Sequence, residues 1–486
     1  MSRLNALPFD NSFARLPSEF FSRVQPRGFA RPHLVAANPR VAELLDIDPA
    51  ELASPDFPRY FGGQLPLPGS DPLAMKYTGH QFGVYNPELG DGRGLLLGEM
   101  VNGKGQRWDL HLKGAGPTPY SRFGDGRAVL RSCIREYLGG EAMHGLGIAS
   151  TRALCIIGSD EPVQREKTET GAMLLRVADS HIRFGHFEWL FHSGQHELLK
   201  TLADYVIDRH YPEFAEADKP YQRFFAEVVR RTAVLIVDWQ LAGFAHGVMN
   251  TDNFSITGAT FDYGPFGFLD AYEPGYICNH SDHHGRYAWN QQPSIALWNL
   301  NALAHALSGL IDRDALVEIL QGFEGILVAD YARKLRGKFG LRQEEEDDRQ
   351  LTLDFLDLMM KNQTDFTRTF RTLSDVTVAG GHPALRDDFL DREGFDAWLL
   401  RYRERLAREN SQDAERKAAM DRVNPRYILR NYLAQVAIDK AEAGDFSEIE
   451  KLRQLLEKPF DEQPENAGYA ALPPDWGRHM EISCSS

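Results

Sequence analysis

HGVMNTDNFSITGATFDYG, residues 246–264, places His246, Asp252, Asn253 and Asp262 in one short polar stretch after a long apolar segment. His246 and Asn253 stand seven residues apart, and Asp262 opens the tripeptide Asp262-Tyr263-Gly264. An amide and a carboxylate at such positions are hard oxygen donors. With phosphates and water completing the shell they suit Mg²⁺ or its close substitute Mn²⁺. Between them, Val248 can neither accept a proton nor orient a hydroxyl, and Asp252 is the nearest spare carboxylate.

Working outward, the upstream residues supply what a phosphate-handling loop needs. LGDGRG (89–94) sets Gly90, Gly92 and Gly94 around Arg93, so backbone can approach a ligand beside a positive charge. By itself such a hairpin is more often only a turn. It leads into RWDLHLK (107–113), where Trp108, Leu110 and Leu112 alternate with Asp109, His111 and Lys113. A period of two predicts a strand with Lys113 on its polar face. In FGDGRAVLRSCIREYLGGEAM (123–143), Asp125 and Gly126 are expected to open a helix whose free N–H groups attract anions. At ~100° per residue, Glu136 falls about 20° from Val129, at the edge of the apolar stripe. It can lean into a cleft and meet Lys113. Taken singly, the lysine reads equally well as an exposed strand residue, and the glutamate reads better as a surface residue.

The order of these parts resembles the protein-kinase set: Gly-rich hairpin, strand lysine, helix glutamate, H-x-D-x-x-x-x-N loop and D-F-G. Here Asp262-Tyr263-Gly264 stands for D-F-G, Asn253 for the metal-binding Asn, and Val248 for the catalytic aspartate. Residues 76–190 alternate Gly-rich turns with short strands, and 191–330 carry helices and the polar loops. Residues 331–486 are amphipathic helices and a tail, with helices expected near 314–338, 351–371, 393–408 and 426–443. Residues 1–75, rich in Pro and Phe, read as an irregular extension packed on the core. Strands first and helices second make an α+β chain, expected as a two-lobed kinase-like fold.

Composition narrows the function. Of 486 residues 54 are basic and 69 acidic, for a net charge of −15. That argues against general nucleic-acid binding, which needs a basic surface. No apolar run approaches the ~20 residues that span a bilayer. The N-terminus lacks a secretory apolar core, and four cysteines without a C-x-x-C pair form no disulfide scaffold or zinc site, so the cytoplasm is the expected compartment.

The chain resembles the selenoprotein O family, bacterial YdiU proteins included. The resemblance is carried by GHQFG (79–83), GDGR (90–93), HLKGAGPTPYSRFGDGRAVLRSCIREYLGGEAMHGLGIASTRAL (111–154), HGVMNTDNFSITGATFDYGPFGFLD (246–270), NQQP (290–293) and the terminal CSS. It runs over essentially the whole chain. It implies a kinase-like fold that binds ATP inverted and transfers AMP to Ser, Thr or Tyr hydroxyls of proteins, the chain itself included, with pyrophosphate leaving. By position, Lys113 and Glu136 would form the ion pair, Asn253 and Asp262 would hold the metal, and Asp252 would accept the proton. Gly90, Gly92, Arg93, Lys113, Asp125, Gly126, Arg176, Arg183 and Asp262 would line the nucleotide site. Three cations, Lys113, Arg176 and Arg183, suit a departing pyrophosphate. For each arginine alone, a structural salt bridge is the plain alternative.

The competing readings are a phosphotransferase using Asp252 as base and a nucleotide-binding scaffold without activity. His280, Asp282, His283 and His284 (in 278–289) read as a polar loop beside the site rather than a metal cluster, since adjacent histidines share one compact site poorly. Residues 186–197 read as helix and turn packing. Cys484 stands where eukaryotic members carry selenocysteine. A redox-controlled disulfide from Cys278 to Cys484 is the alternative to two free thiols.

Overall fold

The β6–β7 hairpin, Gly94–Val101 and Arg107–Lys113, is the spine on which the cleft is built. In this computed structural model, which describes residues 1–380, 383–478, 480 and 482, the hairpin lies inside a wholly antiparallel sheet. Its path is β1 (Phe21–Arg23), β3 (Leu73–Met75), β6, β7, β10 (Thr168–Ala178), β9 (Arg152–Gln164) and β2 (His33–Ala37), with β8 (Ala128–Val129) paired to β10. Two-residue alternation sorts β7 as expected. Leu110 and Leu112 join a buried cluster with Leu4, Val41, Phe57 and Phe61 from the first 75 residues, while Asp109, His111 and Lys113 take the other face. Residues 1–75, read above as irregular, thus supply three strands and the apolar cover of one sheet face. Their short α1 (Pro39–Leu44) and α2 (Phe57–Phe61) sit in that cover.

Register places the charged residues. Lys113 lies opposite Gly94 on β6 and Leu174 on β10, and Arg176 of β10 lies opposite His111. Helix α3 (Leu130–Gly145) packs on β9 and β10, with Cys133, Ile134, Tyr137 and Leu138 buried in the main core. It does not begin at Asp125 and Gly126, as expected above. Gly126 has φ +69° and lies so close to Gly116 that a Cβ would fall 2.1 Å from its carbonyl carbon. The chain turns there, pairs as β8 with β10, and enters the helix only at Leu130.

Beyond the sheet the chain is almost entirely helical. Residues 79–86 first form a small hairpin, β4 (Gly79–Gln81) and β5 (Val84–Asn86). Then α4 (Phe184–His192), α5 (His196–His210) and α6 (Pro220–Ala242) lead to the polar loops, which β11 (Phe244–Ala245) and β12 (Gly267–Phe268) clamp together. The remainder is α7 (Gln292–Ala306), α8 (Arg313–Lys338), α9 (Asp348–Asn362), α10 (Phe366–Leu373), α11 (Arg392–Arg408), α12 (Asp413–Asp421), α13 (Asn431–Glu442) and α14 (Ser447–Glu457). The helix expected over 351–371 is two: Gln363 turns left-handed at φ 51° and Asp365 caps α10 by accepting from the Arg368 amide. Among the described residues no helix is long and apolar enough to cross a membrane.

Candidate active site

Lys113, the last residue of β7, is 2% exposed, and its Nζ donates to Glu136 Oε2 at 2.7 Å. A buried carboxylate with one partner would be under-satisfied, and Glu136 has a second. Arg176 Nε donates to its Oε1 at 2.5 Å and Nη2 to its Oε2 at 3.1 Å. The same guanidinium reaches Asp262 Oδ1 at 2.8 Å, and Arg183 Nη1 closes on Asp262 Oδ2. Strand, helix and loop are thereby joined in one chain: Lys113, Glu136, Arg176, Asp262, Arg183.

Local backbone aims this chain. Asp262 holds φ +56°, a left-handed conformation that costs energy in a residue other than glycine and turns its carboxylate toward the arginines. The next residue, Tyr263, is buried against Gly139 of α3, its hydroxyl bonded to Ser150. Arg135 fixes the same segment from α3, donating to the Phe266 carbonyl at 2.5 Å and stacking over its ring. Arg183 also donates to the Asp252 carbonyl at 2.7 Å and lies between Tyr77 and Phe261.

Electrostatics separate the two aspartates. Burial works against ionisation of Asp262, but Arg183 and Arg176 outweigh it and hold the carboxyl well below its usual range. Asp252 is buried with less compensation: desolvation pushes it up to about 7, with Arg183 and a bond from Gln81 Nε2 (3.2 Å) only partly offsetting. Its Oδ1 is buried and has no hydrogen-bond partner among the described residues. For Glu136, burial is again outweighed, by Arg176 and Lys113, and its pKa falls. Burial lowers Lys113 and Arg93, the lysine's loss being opposed by Glu136.

These groups surround one cavity of about 570 Å³. Gly90, Gly92, Arg93, Lys113, Asp125, Gly126, Arg176, Arg183, Asp252, Asn253 and Asp262 all line it, and Glu136 stands just behind Lys113. Val248 lines it too, its carbonyl accepting from Asn253 Nδ2 at 2.9 Å, which leaves Asn253 Oδ1 as that side chain's oxygen donor. Asp125 faces the cavity with its carboxylate already bonded to Arg165 at 2.8 and 3.1 Å.

Several lining residues went unassigned in the sequence reading. Asp91 sits inside the quoted GDGR, buried against His111 Nε2 at 3.1 Å, and His111 stacks on His181 with ring centroids 4.6 Å apart. Gln81 belongs to GHQFG, whose hairpin docks on the polar loop that carries Asp252 and Asn253: the His80 amide donates to Thr251 Oγ1 at 2.7 Å. Arg165, on the β9–β10 turn, carried no sequence signal. Among the described residues no group of three or more His, Cys, Asp or Glu is placed to hold a metal. Cys278 is buried with its Sγ 3.5 Å from the Ala245 carbonyl, and Cys484 lies outside the described residues.

Cations gathered round a Gly-rich turn, with Asp252 and Asp262 lining the same cavity, are the make-up of a transferase that handles a polyphosphate. The profile of the family described as "Protein adenylyltransferase SelO" matches residues 3–457. Curated relatives named "Protein nucleotidyltransferase YdiU" include those of Myxococcus xanthus (56% identical over 488 residues), Thioalkalivibrio sulfidiphilus (55% over 492) and Azotobacter vinelandii (53% over 487). Each alignment covers 100% of both chains. The chain belongs to the SelO protein adenylyltransferase family. It is a protein nucleotidyltransferase, an enzyme that transfers AMP to protein.

Proposed function

We propose that the 570 Å³ cavity binds ATP and joins its AMP to a Ser, Thr or Tyr hydroxyl of a protein substrate, releasing pyrophosphate. The observation that carries this reading is the single buried chain Lys113–Glu136–Arg176–Asp262–Arg183 on the wall of a cavity that Asp252 also lines.

The acceptor oxygen attacks the α-phosphorus, the bond to the bridging oxygen breaks, and the hydroxyl proton passes to Asp252. A carboxylate raised to about 7 is matched to that task near neutral pH, being often ionised yet basic enough to take a proton. Lys113, Arg93, Arg176 and Arg183 face the phosphates, and forked guanidiniums suit their oxygens. Such transfer depends on positioning and charge more than on covalent help, so Val248 in the usual base position does not disable it.

Asn253 Oδ1 and Asp262 are hard oxygen donors that fit Mg²⁺ or Mn²⁺, with phosphates and water completing the shell. When bound, the ion would neutralise charge on the phosphate oxygens. The residues' own part is to hold Asp262 ionised and aimed, which the ion pairs with Arg176 and Arg183 do.

The architecture also fits a kinase-like reading. Residues 76–190 would form a sheet-based lobe and 191–330 a helical lobe, with 1–75 as an extension and 331–486 as a helical addition. In support, the sheet bears Lys113 and α3 bears Glu136, while His246, Asn253 and Asp262 come from loops after α6.

Incubation with α- or γ-labelled ATP, Mg²⁺ and acceptor protein tests the reaction. Label is expected from the α position only, on added protein or on the chain itself, and mass spectrometry should find covalent AMP. Label from γ alone would make the chain a phosphotransferase. Nucleotide binding with no label would make it a scaffold.

A further inference from the structure

A second cavity, of about 320 Å³, lies away from the nucleotide site among α6, α8 and the segment after α12. Its walls include Leu146, Ile148, Leu241 and Phe460, and Lys338, the last residue of α8, is among the residues that line it. Lys338 is 5% exposed, and no carboxylate pairs with it among the described residues. Its ammonium lies over the ring faces of Phe370 (4.6 Å) and Phe366 (5.7 Å). Buried lysines are almost always paired, so the lack of a carboxylate partner sets this one apart. Burial alone pushes it down to about 7.

The neighbours decide which anion would fit. Lys334 is already held by Asp238 (2.5 Å) and Asp330 (2.8 Å), and Arg333 by Asp330 (2.5 Å), so neither offers a free charge. Asp238 itself lines the cavity and would repel a dianion. Arg422 stands exposed at the rim. One unpaired ammonium, one rim guanidinium and apolar walls match a monoanion with an apolar body. A compact phosphate would need more donors than remain.

We propose that this cavity is a binding site for a small organic carboxylate with an apolar body, its carboxylate paired with Lys338. Its position gives the occupant a route to the catalytic loops. Leu241 and Ala242 end α6, and Gly243 follows at φ +70°, so near Phe366 that a Cβ would lie 2.8 Å from its ring. Phe244 and Ala245 then form β11, directly ahead of His246. Phe366, which touches Lys338, also bonds the chain after β12 through its amide to the Asp270 carbonyl at 2.8 Å.

The test titrates benzoate and hexanoate into the full chain by calorimetry and thermal denaturation, with benzyl alcohol, hexanol and inorganic phosphate as controls. The acids are expected to bind at millimolar concentration and raise Tm, and to slow amide exchange over 241–246, while the alcohols and phosphate do neither. Lys338→Met should weaken binding by about tenfold or more, as loss of a charge-assisted bond implies, with AMP transfer intact. Val423→Trp, filling the cavity from its exposed rim, should remove binding while Lys338 remains. The proposal fails if the alcohols or phosphate bind as well as the acids, if both variants bind benzoate unchanged, or if no acid binds.

Discussion

Lys113 and Lys338 are equally removed from water and have opposite surroundings. Lys113 ends a strand and meets Glu136, which Arg176 also holds, so these three charges answer one another. Lys338 ends a helix and meets aromatic faces and a cavity. In the first region burial strengthens every electrostatic contact, because the low dielectric is shared by paired groups. In the second, burial acts on a lone group and drives it toward neutrality. The same residue type is one member of a paired network in one place and a lone group in the other.

The largest expected effect comes from making the cleft resemble the helical cavity. Glu136→Gln leaves Lys113 and Arg176 buried without their carboxylate, and should cost about 3–5 kcal/mol of stability, the penalty for breaking a buried pair. Urea denaturation measures it, and AMP transfer should fall below ~1%. Unchanged stability would show that water, not Glu136, neutralises Lys113. Next in size, Asp252→Asn should reduce transfer by about 10²–10⁴-fold while ATP binding, followed by calorimetry, persists, as for loss of a general base. Lys113→Met should lower transfer by about 10²–10³-fold with a smaller stability loss than Glu136→Gln, since Arg176 still answers the glutamate.

The other half of the comparison is read in pH dependence. The folded-state pKa of Lys338 is depressed to about 7 from 10.5. Between those values the unfolded chain binds more protons, so stability rises with pH across this window and its penalty is complete below about pH 7. The wild type should gain up to ~1.4 kcal/mol per pH unit there from this group, and Lys338→Met should lack that gain. Parallel denaturation curves for the two proteins from pH 7 to 10 would place a hidden counter-charge beside Lys338. The smallest effect is expected from Val248→Ala, which should alter transfer by less than about threefold, because the side chain there takes no part in the proton step.

Much of the cleft was legible because spacing carries geometry. Strand alternation put Lys113 on the polar face, helical period put Glu136 at the stripe's edge, and the seven-residue interval from His246 to Asn253 set the loop. The helix start at Asp125 and Gly126 misled, since a turn and a strand pairing intervene before Leu130. Residues 1–75 hid their strands because three- and five-residue segments leave too short an alternation to see. Arg165 was invisible: its partner Asp125 is 40 residues away, with β8, α3 and β9 between them.

By itself the sequence marked the candidate side chains for phosphate, metal and proton, and the face of strand or helix on which Lys113 and Glu136 stand, because those periods are properties of the backbone. Only tertiary structure decided their charge. Arg176 and Arg183 keep Asp262 ionised, while Asp252, one residue from Asn253, is left to titrate near 7 with an oxygen unpaired. The same holds for Lys338, whose helical position is plain in the sequence but whose lack of a partner is not. Pairing across a buried interface depends on which distant residues arrive there, and burial sets how strongly each arrival counts.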